Sequence, residues 1–168
     1  MEELARQIQS LHGLTDFGRG VTVNVGVVTG GERPNIIAPS ARAEIDLRVV
    51  TQADGEALTE KILGLQPQVT GCQVQITGGI NRWPFEESPA GLALFEQAQT
   101  IAQDLGFDVD KIGSGGGSDG NFTAALSVPT LDGLGALGYG AHALSEYVIL
   151  DALPLRSALV AELLVRLT

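Results

Sequence analysis

Residues 41–49, Ala-Arg-Ala-Glu-Ile-Asp-Leu-Arg-Val, carry an apolar side chain at every odd position and a charge at every even one. That two-residue period does not suit a helix, whose apolar positions recur every three or four residues. It dictates a β-strand with one dry face and one wet face. A strand of this kind needs a neighbour. Val21-Thr22-Val23-Asn24-Val25-Gly26-Val27-Val28 is alternating and β-branched, and supplies one. Between the two lies Gly30-Gly31-Glu32-Arg33-Pro34-Asn35, whose glycines and proline mark a turn.

Helical patterns flank this pair. Glu2 to Leu14 places Leu4, Ile8 and Leu11 on one face. Thr51 reads as an N-cap with Asp54 at the third helical position, and Ala57, Leu58, Ile62 and Leu65 continue a helix that stops near Pro67. Cys72-Gln73-Val74-Gln75-Ile76 alternates again and predicts a third strand. The order α-β-β-α-β is a ferredoxin-like, split βαβ arrangement without its first strand, which belongs in the middle of the sheet. The fold class expected is α+β or α/β. Asn81 to Gly91 holds Trp83, two prolines and Glu86-Glu87, and marks a boundary between residues 1–83 and 84–168. Beyond it, Gly91 to Leu105 predicts a helix ended by Gly106, and 121–126 a short helix. Val128-Pro129-Thr130-Leu131 predicts a short buried strand, 133–140 a glycine-rich loop, and Leu153 to Leu167 a closing helix with Pro154 in its first turn.

Composition removes several function classes. The chain of 168 residues is 44% hydrophobic, enough for a packed core and too much for disorder. Its net charge of −10 disfavours nucleic acid, whose phosphates require clustered lysine and arginine. No apolar run reaches the ~18 residues of a membrane span, and no secretory leader is evident. Cys72 stands alone, which excludes an internal disulfide and a multi-cysteine zinc site and fits a reducing, cytoplasmic compartment.

Two segments carry candidate chemistry. Ser114-Gly115-Gly116-Gly117-Ser118-Asp119-Gly120-Asn121-Phe122 is a flexible glycine loop running into a helical pattern. Backbone N–H groups there suit an anion, and a tight structural turn explains the loop equally well; no Gly-Lys-Ser/Thr follows, so it is not a P-loop. His142 lies among glycines and small residues in a loop with little bulk, where imidazole serves as a metal ligand or as a hydrogen-bonded structural group. Glu146, four residues on, shares a helix face with it if the segment is helical, but two residues do not make a zinc site. His12 ends the first helix as a surface cap. Arg48, on the wet face beside Asp46, is either a salt-bridged surface arginine or a planar fork for a carboxylate.

Together these pieces resemble the zinc aminoacylase and carboxypeptidase family, which includes glutamate carboxypeptidases, acetylornithine deacetylase and succinyl-diaminopimelate desuccinylase. The resemblance rests on Gly30-Gly31 with Pro34-Asn35-Ile36-Ile37-Ala38-Pro39, on Ala43-Glu44-Ile45-Asp46-Leu47-Arg48, on Gly115 to Phe122, and on His142 through Val148, in order over nearly the whole chain. It implies a lid or dimerisation domain over 1–83, the C-terminal part of a catalytic domain over 84–168, and a homodimer through the lid. His142 matches the family's last zinc ligand. Asn35 and Arg48 match lid residues that hold substrate, Arg48 facing its carboxylate. Gly116, Gly117 and Ser118 match a loop lining the substrate cleft, and Arg82 a loosely aligned pocket residue. The intact enzyme is expected to hold two zinc ions, or cobalt, which imidazole also accepts. Its substrate would be an N-acyl amino acid or small peptide with a free carboxylate.

The family's His-x-Asp pair and the Glu-Glu pair that precedes the lid have no counterpart, and Glu86-Glu87 lies after the lid. The sequence therefore reads as a C-terminal fragment without catalytic residues of its own, inactive alone. The alternative is a non-catalytic dimerisation or binding module that keeps the shape of the fold.

Overall fold

A computed structural model describes residues 1–167. It is a mixed helix and strand structure in which the strands form two small sheets. The chain divides into two compact units, Met1–Glu86 and Glu87–Thr168. No helix among the described residues is long and apolar enough to cross a membrane.

The first unit is built on the alternating pair. Strand β1 (Thr22–Gly30) pairs antiparallel with β2 (Ala41–Arg48), from Thr22 opposite Arg48 to Gly30 opposite Ala41. The register slips between Val25 and Val27, so Gly26 is the extra residue of a bulge. The two-residue period of β2 is realised in full. Ala41, Ala43, Ile45 and Leu47 are half-buried, and Arg42, Glu44, Asp46 and Arg48 are exposed. Helix α1 (Glu2–His12) and helix α2 (Gln52–Leu63) cover the dry face, where Leu11, Val23 and Ile62 are buried among Leu14, Val25, Ile45, Leu47, Leu65 and Ile76. Thr51 caps α2 as expected: its side chain accepts from the Asp54 backbone N–H at 3.1 Å.

Residues 72–76 differ from expectation. Cys72, Val74 and Ile76 turn inward and Gln73 and Gln75 outward, as a strand requires, but the segment joins no ladder. Its alternation comes from packing against the core rather than from a neighbouring strand.

The α1 face carries a second difference. Leu4 and Ile8 are only half-buried, whereas Glu3 and Gln7 are buried with Leu11. The Glu3 carboxylate accepts from the Gln7 side-chain amide at 2.6 Å and from the backbone N–H of Gln68 and Val69 at 3.0 and 2.7 Å. The same Gln7 nitrogen donates to the Gln66 carbonyl at 2.8 Å. Facing two acceptors fixes the amide orientation and leaves Gln7 Oε1 without a protein partner among the described residues. The Gln7 amide, followed by the two backbone donors, holds the Glu3 carboxyl below its ordinary range against the opposing effect of burial. A depressed carboxyl stabilises the fold above its unfolded value, near pH 4.5, and that contribution disappears as pH falls through the folded value. Glu3→Gln is therefore expected to lower the thermal midpoint at pH 7, with the gap to the parent closing below about pH 4.5. Paired melting curves across pH 3–7 check this, and a gap independent of pH would contradict it.

The second unit is a helix pair with extended segments around it. Helix α3 (Pro89–Asp104) begins two residues earlier than its apolar periodicity indicates, because Ser88 caps it by accepting from the Gly91 N–H at 3.0 Å and Pro89 opens the first turn. Ala98, Ile101 and Ala102 of α3 pack on Leu159 and Leu163 of helix α5 (Leu153–Arg166), with Leu105, Phe107, Val109, Leu131 and Leu134 around them. The short helix α4 (Gly120–Ala125) follows the glycine loop. The expected buried strand at Val128–Leu131 does not form: Val128 is exposed and no residue there joins a ladder. The second sheet is only the two-rung pair β3 (Gly138–Tyr139) and β4 (Tyr147–Val148).

Candidate functional site

His142 sits at the tip of the β3–β4 hairpin, so no helix carries His142 and Glu146 on a common face. The loop is closed by its own backbone. Ala143 N–H donates to the Gly140 carbonyl at 2.9 Å and Glu146 N–H to the Ala143 carbonyl at 3.0 Å. Glu146 Oε2 accepts from the His142 backbone N–H at 3.3 Å. Glu146 thus steadies the loop, and the imidazole projects from an exposed residue. At the base, the Tyr139 and Tyr147 rings lie 5.8 Å apart, tilted by 41°.

The backbone of His142 is in the left-handed region, φ 68°. Only one other non-glycine residue shares this feature among the described residues, Ser127 at φ 61°. Ser127 has a structural reason, because it ends α4 with its N–H on the Ala124 carbonyl at 2.8 Å. His142 terminates no helix. A left-handed non-glycine residue is costly, about 1–3 kcal/mol, and such strain concentrates at functional positions. Histidine is among the residues that tolerate it.

The glycine loop spends part of its donor capacity internally. Gly116 N–H donates to Ser114 Oγ at 3.1 Å, Ser118 N–H to Asn121 Oδ1 at 2.9 Å, and Gly120 N–H to Ser118 Oγ at 3.1 Å. Buried Asn121 therefore anchors the end of the loop, and Gly116 and Ser118 do not present open amides to an anion. Gly117 lies exposed between them. Arg156 of α5 steadies the next glycine-rich stretch, donating from Nε to the Gly135 carbonyl at 3.0 Å and from Nη2 to the Gly133 carbonyl. Neither Asn121 nor Arg156 has a signal in the sequence that marks it as a support.

In the first unit, Asn35 and Arg48 occupy opposite ends of the hairpin. Asn35 is exposed in the 31–40 connection beyond the Gly30–Ala41 rung, and Arg48 belongs to the far rung with Thr22. Seven strand steps separate the ends, about 23 Å, so the two side chains of one chain do not reach a common small ligand. Arg48 Nε donates to Asp46 Oδ2 at 2.8 Å, and that partner raises the guanidinium above its usual value. The terminal nitrogens of Arg48 make no further bond among the described residues. Arg82 is half-buried next to Trp83, and Trp83 and Ile80 lie over Gly55 at the start of α2. Glu86 accepts from the Gln52 N–H at the start of α2, and Glu87 pairs with Lys111. The Glu-Glu pair is thus committed to structural contacts.

No three His, Cys, Asp or Glu side chains come together as metal ligands among the described residues. A zinc centre needs three or four protein donors. The described residues therefore do not fit a zinc centre by themselves; His142 offers one donor.

Comparison with known proteins bears on this arrangement. Residues 1–65 match the family described as Peptidase dimerisation domain. Over 158 residues the chain is 25% identical to Carboxypeptidase G2 of a Pseudomonas species, covering 92% of this chain and 38% of that protein. Over 60 residues it is 37% identical to a p-aminobenzoyl-glutamate hydrolase homolog of Haemophilus influenzae, covering 35% of this chain and 14% of that protein. By these matches the chain resembles the zinc aminoacylase and carboxypeptidase family. It spans well under half the length of either family relative. The peptidase dimerisation domain match falls inside the first unit and takes in α1, both strands of the hairpin and α2.

Proposed function

We propose that this chain is part of a carboxypeptidase-like hydrolase that cleaves the amide of N-acyl amino acids or small peptides bearing a free carboxylate. The observation that carries the proposal is the similarity to Carboxypeptidase G2 along 92% of the chain. In this reading residues 1–83 are the ferredoxin-like lid and 84–168 the C-terminal part of the catalytic domain. Arg48 holds the substrate carboxylate with its uncommitted terminal nitrogens. Asn35, Gly116, Gly117 and Ser118 contribute to substrate binding, and His142 is the one metal donor that this chain supplies. No chemical step is assigned to the chain itself.

Two outcomes are expected. The purified chain with added zinc does not turn over N-acylglutamate; metal-dependent turnover by a clean preparation would overturn the reading. In a protein joining this chain to the remaining ligands, Arg48→Ala raises KM about 10- to 100-fold with kcat little changed, as loss of a charge-assisted contact predicts. A fall in kcat at constant KM would remove Arg48 from substrate binding.

A second reading is supported by the dimerisation-domain match over residues 1–65: the first unit associates with a second copy. Sedimentation of the chain is expected to show a concentration-dependent dimer, and a monomer at all concentrations would count against it.

A further inference from the structure

We propose that the groove between the outer flank of α2 and the Ile80–Trp83 segment binds a small organic cation with an apolar body, of the arylalkylamine class. The groove encloses about 440 Å³ and is lined by Glu56, Thr59, Glu60, Leu63, Ile80 and Trp83, all within the first unit. That volume lies within the range of small-ligand sites. Its helical side follows from spacing: positions 56, 59, 60 and 63 recur every three or four residues and share one face of α2. The core positions Asp54, Gly55 and Ile62 turn away from that face. The opposite wall is seated by a glycine. Gly55 is buried within α2, where glycine is about 1 kcal/mol worse than alanine. A Cβ at 55 would lie 2.7 Å from Ile80 Cδ1 and 3.1 Å from Trp83 Cζ3, so any side chain there displaces the wall.

Charge complementarity selects the occupant. The floor and far wall are apolar: Leu63 is 46% exposed, and Ile80 and Trp83 are half-buried. The polar rim is anionic. Glu56 accepts from the Gln52 side-chain amide at 2.8 Å, which holds that carboxylate at the rim. The Glu60 carboxylate makes no bond to another side chain among the described residues. No lysine or arginine lines the groove; Lys61 and Arg82 are neighbours in sequence but not in the lining. An anion would meet two carboxylates and no donor of opposite charge. A neutral apolar molecule would fill the floor and leave the carboxylates unused. An ammonium group on an aryl or alkyl body satisfies both, because the apolar part covers Leu63 and Ile80 while the charge faces Glu56 and Glu60. An indole is also the strongest aromatic partner for a cation.

Trp83 is the only tryptophan of the chain, so its single indole N–H resonance reports on the groove directly. The test titrates the isotope-labelled full chain with three probes of one shape: phenethylammonium, phenylethyl alcohol and phenylacetate. Phenethylammonium is expected to shift the Trp83 indole and the 56–63 amides in a saturable way. Phenylethyl alcohol is expected to bind about tenfold more weakly, and phenylacetate more weakly still. The double variant Glu56→Gln, Glu60→Gln alters only exposed side chains. It is expected to bring phenethylammonium down to the level of the alcohol and to leave the response to the alcohol unchanged. No saturable shift at Trp83 overturns the proposal. Phenylacetate binding as well as phenethylammonium also overturns it, because the rim then selects nothing. So do shifts spread over other acidic surfaces, which would mark general attraction of a cation to a chain of net charge −10.

Discussion

Gly138→Ala is expected to open the β3–β4 hairpin and release His142 from its fixed position. A Cβ on Gly138 would overlap the Tyr147 carbonyl oxygen, and it would also lie 3.4 Å from the Val148 Cα. Both contacts are backbone, so no flexible side-chain end can move aside. The hairpin has only two rungs, Gly138 with Val148 and Tyr139 with Tyr147, so losing one removes half of it. Forced overpacking of this kind costs about 1–3 kcal/mol, more than so short a ladder can absorb locally. Amide exchange at 138–148 is expected to rise sharply, and the Tyr139–Tyr147 ring contact to disappear from the near-ultraviolet circular dichroism. Gly135→Ala is the control, because a Cβ there meets nothing within 4 Å. If Gly138→Ala leaves both signals as in the parent, the tight approach that presents His142 is not required.

Leu159→Ala is expected to produce the larger loss of stability, about 3–5 kcal/mol. Leu159 is 1% exposed and is the largest fully buried side chain of the second unit. It packs against Ala98, Ile101, Ala102 and Leu163, where two alanines already leave little bulk to collapse into a cavity. A loss of this size is a large share of the stability of a small unit. Urea unfolding followed by exchange at α3 and α5 amides measures it. Leu164→Ala on the same helix is expected to change stability by less than about 0.5 kcal/mol, because Leu164 is 69% exposed. The cluster around Leu11, Val23 and Ile62 contains no α5 residue, so first-unit amides are expected to keep their protection. Equal losses at 159 and 164 would show that the helix pair is not the core of the unit.

Where a local rule decides the outcome, the sequence was sufficient. The period of 41–49 set which β2 side chains face water, and the salt-bridged reading of Arg48 is realised by its Nε on Asp46. The Thr51 cap follows from side-chain chemistry three residues away. The place of His142 among small residues was legible, but its left-handed backbone was not, because a loop's φ is settled by the hairpin that closes it. Burial of Glu3 and Gln7 was also hidden. Their periodicity reads as polar surface until the 66–69 backbone arrives with donors and an acceptor to match.

Local order along the chain was enough to establish the flanking helices, the β1–β2 pair, the inward residues of β2 and the Thr51 cap, because each is set by contacts within a few residues. Which extended segments become strands was settled only by tertiary packing. Residues 72–76 and 128–131 have strand-like composition, yet neither joins a ladder, because a β-strand exists only when another strand satisfies its N–H and C=O groups. Packing also placed Asn35 and Arg48 at opposite ends of one hairpin, since antiparallel register converts thirteen residues of sequence separation into the full length of the ladder.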